Sequence, residues 1–146
     1  MTYVKIFSKS GEIPKYETEN SAGLDLRAML DEPLTIKPME RVLIPTGIFL
    51  EIPNGFEGQV RARSGLSIKN GLTMVNGVGT VDADYRGELK VPMINLGSED
   101  FTVESGDRIA QIVFARYESV KFEPVDSVES LEKTKRGAGG FGHTGR

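Results

Sequence analysis

Along most of this chain apolar side chains recur at every second position over short stretches, and glycine, proline or asparagine then interrupts them. Residues 4–7, 34–37, 41–44, 47–52, 56–63, 89–94, 101–103 and 108–114 each fit a half-buried strand, whose side chains alternate between two faces. The interruptions are Lys37-Pro38, Ile44-Pro45-Thr46-Gly47 and Ile52-Pro53-Asn54-Gly55. Short strands punctuated this often predict an all-β sandwich or barrel and not a βαβ fold. Residues 9–20 are polar, contain Gly11 and Pro14 and read as a loop. Leu24 and Leu26 predict a further strand that turns Asp25 to the opposite face, and residues 117–125 predict a last one. Pro92 predicts an edge or a bulge in the strand over 89–94.

Three stretches depart from this rhythm. Ser64-Gly65-Leu66-Ser67-Ile68-Lys69-Asn70-Gly71 predicts one short helix, with Ser64 as N-cap, Leu66 and Ile68 as apolar contacts and Asn70-Gly71 as the stop. Arg63, the Ser64 hydroxyl and the first free N–H groups would then converge as an anion site. Residues 72–75 and 78–81 flank Asn76-Gly77, a strong hairpin signal, with glycines that let a flat ligand approach the backbone. Asp82, Asp84, Tyr85 and Arg86 follow, closed by Gly87. In residues 136–146, five of eleven are glycine, a composition that buries too little apolar area to hold a conformation alone. Phe141 stands among those glycines, between Arg136 and the His143-Thr144 pair, as a lid closing on a base and a phosphate would require.

Composition narrows the function classes. At 146 residues the chain is one domain, and without cysteine it has neither disulfides nor thiolate metal sites. No apolar run is long enough to cross a membrane, and the first residues do not read as a signal peptide, so a cytoplasmic location is expected. Eighteen Lys and Arg against 21 acids leave a net charge of −3, which supplies no field for general nucleic-acid binding. A single nucleotide remains within reach of a few placed arginines and a metal ion. Seventeen glycines and 7 prolines agree with many turns.

Five segments, in order, carry a resemblance. Ala-Gly-Leu-Asp-Leu-Arg-Ala at 22–28, Arg-Ser-Gly-Leu at 63–66, the 71–88 stretch, Gly-Asp-Arg-Ile-Ala-Gln at 106–111 and Arg-Gly-Ala-Gly-Gly-Phe-Gly at 136–142 resemble the five signature motifs of the trimeric dUTPases. These enzymes hydrolyse dUTP to dUMP and pyrophosphate. The second segment departs from the usual pattern in having Ala62 where the family often carries proline.

The resemblance implies a jelly-roll-like all-β fold with one short helix, a β domain over 1–131 and a mobile lid over 132–146. It implies Asp82 as the base that orients the attacking water, and Mg²⁺ held through water by Asp25. Arg63, Ser64, Gly65 and Gln111 would hold the phosphates, closed over by Arg136, Gly142, His143 and Thr144. The uracil edge would pair with main chain at Gly79, Thr80 and Val81, with Asn76 assisting and Lys90 nearby. Tyr85 would lie under the deoxyribose and Phe141 over the base. A homotrimer with shared sites is implied, whose activity limits uracil in DNA and supplies dUMP for dTMP synthesis. The related dCTP deaminases are set apart by a catalytic glutamate that residues 89–94 lack. A non-catalytic nucleotide-binding protein on the same scaffold is disfavoured by Asp25, Asp82, Gln111 and the tail.

Overall fold

The computed structural model describes residues 2–140. Ten strands, one short α-helix and a single 3-10 turn follow in the order β1 (Lys5–Ser8), β2 (Leu24–Arg27), β3 (Leu34–Ile36), β4 (Arg41–Glu51), β5 (Phe56–Ala62), α1 (Ser64–Asn70), β6 (Leu72–Met74), β7 (Gly79–Val81), β8 (Glu88–Asn95), β9 (Phe101–Val103), β10 (Arg108–Arg116) and the 3-10 turn Val128–Ser130. They form two four-stranded sheets, β1-β4-β8-β6 and β2-β10-β5-β7, plus the ribbon β3-β9. Every pairing is antiparallel, giving a jelly-roll-like all-β fold.

The alternation read from the sequence explains the core. Leu26, Ile36, Ile44, Leu72, Val91, Met93, Val103, Ile109 and Ile112 turn inward between the sheets, while their chain neighbours are more exposed, except where the β2–β10 register shifts and Ala110 is buried beside Ile109. Asn95 is fully buried among them. It donates to the carbonyls of Ile36 (2.9 Å) and Glu99 (2.8 Å) and accepts from Gly97 N–H (2.8 Å), so no polar group there is stranded.

Several expectations are corrected. Residues 41–44 and 47–52 are one strand, because Pro45-Thr46-Gly47 makes a bulge instead of a turn: the β4–β8 register shifts between Pro45 and Phe49, and Gly47 takes φ 69°. Buried Thr46 donates to the Leu89 carbonyl (2.7 Å), and Gly47 N–H donates to the Glu88 carboxylate (2.8 Å), which satisfies the interrupted ladder. Residues 72–75 and 78–81 do not pair as a hairpin. β6 joins β8 and β7 joins β5, so the exposed turn around Asn76-Gly77 carries the chain from one sheet to the other. Each short strand finds a longer, core-backed partner, which a two-stranded ribbon could not match.

Pro92 lies in an interior strand, not at an edge, with its carbonyl accepting from Val75 N–H just beyond the end of β6. Arg63, not Ser64, occupies the N-cap of α1 and makes no side-chain cap, while Gly71 at φ 71° ends the helix as expected. Ile68 is 85% exposed and contributes no packing, unlike Leu66. Residues 117–125 form no strand; within one chain they find no sheet edge, and Phe122 is 92% exposed. No helix among the described residues is long and apolar enough to cross a membrane.

Candidate active site

A cleft of about 510 Å³ opens beside β7 and β8, lined by Asn76, Thr80, Val81, Asp82, Tyr85, Glu88 and Lys90 among others. The split of residues 72–81 between two sheets creates it, since the chain must leave β6, turn in solvent and re-enter at Gly79. Asp82 follows the last paired residue of β7 and is exposed at the cleft. Gly79 is buried, with the Asn76 amide close by: a Cβ there would sit 3.2 Å from Asn76 Nδ2. Residues 82–87 form a tight turn in which Tyr85 N–H donates to the Asp82 carbonyl (3.2 Å) and Arg86 donates to the carbonyls of Ala83 (2.7 Å) and Tyr85 (2.9 Å). The Tyr85 hydroxyl donates to the Glu88 carbonyl (3.0 Å).

Glu88 underlies this cleft. Burial on its own would raise its pKa, but the Gly47 N–H and the Lys9 ammonium (3.1 Å) outweigh it and hold the carboxyl below the usual carboxylate range. Sequence reasoning assigned Glu88 no role. The signal available was its place directly after Tyr85-Arg86-Gly87.

The second group of expected site residues gathers elsewhere. The Asp25 carboxylate takes Arg63 Nε at 3.1 Å on one oxygen and Arg108 Nη1 at 3.2 Å on the other, and its side chain is only 17% exposed. Arg63 also donates to the Arg108 carbonyl (3.0 Å). Gln111 is directly opposite Asp25 in the β2–β10 register and donates to the Ala62 carbonyl (3.2 Å). Gly23 packs against that amide so closely that a Cβ would fall 3.3 Å from its Cδ and nearer still to Oε1. Ser64 and Gly65 stand exposed in the uncapped first turn of α1, where N–H groups have no partner inside the helix. Arg108 and Gly23 were missed as individual residues. Both stand within the motif segments at 22–28 and 106–111, which was the signal the sequence offered.

One chain keeps these two groups apart. Val81 pairs with Gly58, and Arg63 lies five residues farther along β5, so the backbones of Asp82 and Arg63 are roughly 16–20 Å apart at ~3.3 Å per residue. Arg63 also reaches the wrong way for Asp82: it pairs with groups on β2 and β10, on one side of β5, while β7 lies on the other. None of Asp25, Arg63, Ser64, Gly65 or Gln111 lines the cleft that holds Asp82. In the tail, Arg136 is exposed and donates to the Gly139 carbonyl (2.7 Å). Phe141, Gly142, His143 and Thr144 lie outside the described residues.

The dUTPase family model matches residues 9–145. A deoxyuridine 5'-triphosphate nucleotidohydrolase of Finegoldia magna is 54% identical over 143 residues, covering 97% of this chain and 98% of the relative. One from Fusobacterium nucleatum is 54% identical over 144 residues, covering 98% of this chain and 97% of the relative. Among solved structures, the Staphylococcus bacteriophage 80alpha dUTPase with dUpNHpp superposes with a TM-score of 0.85 at 26% identity, covering 100% of this chain and 99% of that one. The dUTPase of phage phi11 of S. aureus, described with a structural Mg(II) ion, shares the fold at a TM-score of 0.77 and 22% identity, covering 87% of this chain and 99% of that one. With the family model spanning residues 9–145 and relatives 54% identical over nearly the full length, the chain belongs to the dUTPase family.

Proposed function

We propose that the protein hydrolyses dUTP to dUMP and pyrophosphate in sites that span neighbouring copies of a homotrimer. The observation that carries this reading is the separation just described. The cleft with Asp82 offers the means to read a base and aim a water. The arginines and first-turn amides suited to phosphates stand on the far side of β5 in the same chain. A neighbouring copy that brings its Arg63, Ser64, Gly65 and Gln111 to the cleft makes one complete site per interface.

In this mechanism the uracil edge pairs with main chain at Gly79, Thr80 and Val81. The exposed turn leaves Asn76 free to assist, and Lys90 lies at the cleft mouth. Tyr85 packs under the deoxyribose where a 2'-hydroxyl would stand. Asp82 takes the proton of a water directed in line at the α-phosphorus, while cationic groups stabilise the charge that develops on the leaving pyrophosphate. Arg136 and the tail, with Phe141 over the base and Gly142, His143 and Thr144 on the phosphates, close the site as a lid over 132–146.

Among the described residues no three acids or histidines converge to cage a metal. The donor set instead suits Mg²⁺ that arrives with the triphosphate, keeps its waters and asks for one carboxylate. Asp25 supplies it: each of its oxygens meets one arginine and retains acceptor capacity for water. Bound Mg²⁺ supplies positive charge over the phosphate chain. In the cell, in the cytoplasm, the reaction lowers dUTP available for incorporation into DNA and yields dUMP for dTMP synthesis.

Deamination on the same scaffold needs a carboxyl able to take up and return a proton. Glu88 lines the cleft but is committed to Gly47 and Lys9 and held in its ionised form. Incubation with dUTP, with and without Mg²⁺, therefore releases pyrophosphate in a metal-dependent manner, and incubation with dCTP releases no ammonia. Ammonia release from dCTP, or no pyrophosphate from dUTP, would reject the reading.

A further inference from the structure

We propose that Gly87 is a positioning residue for sugar selectivity, acting through the Tyr85 ring. The proposal rests on the reading above that Tyr85 excludes the 2'-hydroxyl. Gly87 is not one of the glycines with left-handed φ, so its backbone admits an L side chain. The space does not. A Cβ built on it would sit 2.9 Å from Tyr85 Cε2 and closer still to Cζ and the phenolic oxygen, and these three atoms of one side chain are the nearest it meets.

The hydroxyl end of the Tyr85 ring thus lies against the backbone of residue 87, with its hydroxyl tied to the carbonyl of residue 88 (3.0 Å). That hydrogen bond fixes the far end of the ring. The Arg86 contacts to the Ala83 and Tyr85 carbonyls hold the main chain that carries the ring. Yet Tyr85 is 46% exposed and lines the cleft, so its cleft side is open to solvent. The backbone at 87 is therefore the floor that sets how high the ring stands in the cleft. A methyl group on that floor lifts the ring and breaks the hydroxyl contact, which shifts the surface that a sugar 2'-substituent would meet.

The test compares Gly87→Ala, Tyr85→Ala and the double variant as full-length enzymes, with initial rates of pyrophosphate release from dUTP and UTP and thermal melting of each. Gly87→Ala is expected to lower the dUTP-to-UTP ratio of kcat/KM by about 10- to 100-fold, the scale of an ångström-sized misplacement. Because the three atoms nearest the new methyl all belong to Tyr85, adding Gly87→Ala to Tyr85→Ala should change neither the ratio nor the melting temperature. That non-additivity separates positioning from a general loss of structure. A Gly87→Ala enzyme with wild-type selectivity, or a ratio that falls by the same factor in the Tyr85→Ala background, overturns the proposal. If Gly87→Ala fails to fold, the double variant decides: restored folding supports the Tyr85 obstruction, continued failure overturns it. Should Tyr85→Ala itself leave the ratio unchanged, the sugar-reading role of Tyr85 falls, and this inference with it.

Discussion

Replacing Glu88 is the sharpest probe of how the cleft floor is held together. Its carboxylate accepts from Gly47 N–H at 2.8 Å and from the Lys9 ammonium at 3.1 Å, with the side chain 14% exposed. A hydrogen bond to a charged acceptor contributes about 1.5–3 kcal/mol, and a pair with a half-exposed lysine adds at most ~1 kcal/mol. Glu88→Ala removes both and leaves a part-buried N–H at the β4 bulge unpaired, so a loss of about 2–4 kcal/mol at neutral pH is expected. Glu88→Gln keeps an acceptor for Gly47 and gives up the charge, so it should lose about 1–2 kcal/mol.

The pH dependence fixes the cause. A carboxyl whose folded pKa lies below its ordinary value of 4.5 stabilises the fold above that value, and the contribution disappears as pH falls through the folded pKa. Urea denaturation of wild type and Glu88→Gln, at one protein concentration and several pH values, should give a stability gap that is constant near neutrality. The gap should narrow below pH 4.5. A gap that stays constant or widens on acidification would refute the argument.

Asp82→Asn keeps the size of the side chain but not its basicity, so turnover of dUTP should fall by roughly 10²–10⁴-fold with binding retained, checked by steady-state kinetics and calorimetry. Gly23→Ala should push the Gln111 amide from its place and raise KM for dUTP more than it lowers kcat; an unchanged KM would mean that Gln111 does not touch substrate. Ending the chain after Lys135 should leave the melting temperature unchanged, because residues 132–138 are exposed, and should reduce hydrolysis by about 10²-fold or more.

The fold was legible wherever one strand's alternation had a core to face. Leu26, Ile44, Val91 and Ile112 are where period two puts them, and Gly71 ends the helix as its type demands. What was not legible depended on partners far along the chain. Asn76-Gly77 signals a turn but cannot say that its two arms join different sheets, since that choice is made by β8 and β5. Pro45 and Gly47 look like a chain reversal until Glu88, 41 residues beyond Gly47, occupies the bulge. Residues 117–125 carry apolar side chains without a surface in their own chain to receive them. The candidate site followed the same division. Its members could be picked out by motif, but the triangle of Asp25, Arg63 and Arg108, and its distance from Asp82, required three dimensions.

The composite site is the central claim, and complementation tests it most directly. Asp82→Asn and Arg63→Ala chains, each nearly inactive as a pure assembly, are unfolded together in equal amounts, refolded and assayed for dUTP hydrolysis. If each site takes Asp82 from one copy and Arg63 from another, random mixing places two intact contributions in about a quarter of sites, and activity should rise to about that fraction of wild type. If every chain completes its own site, the mixture will show no more than the average of its two inactive parents.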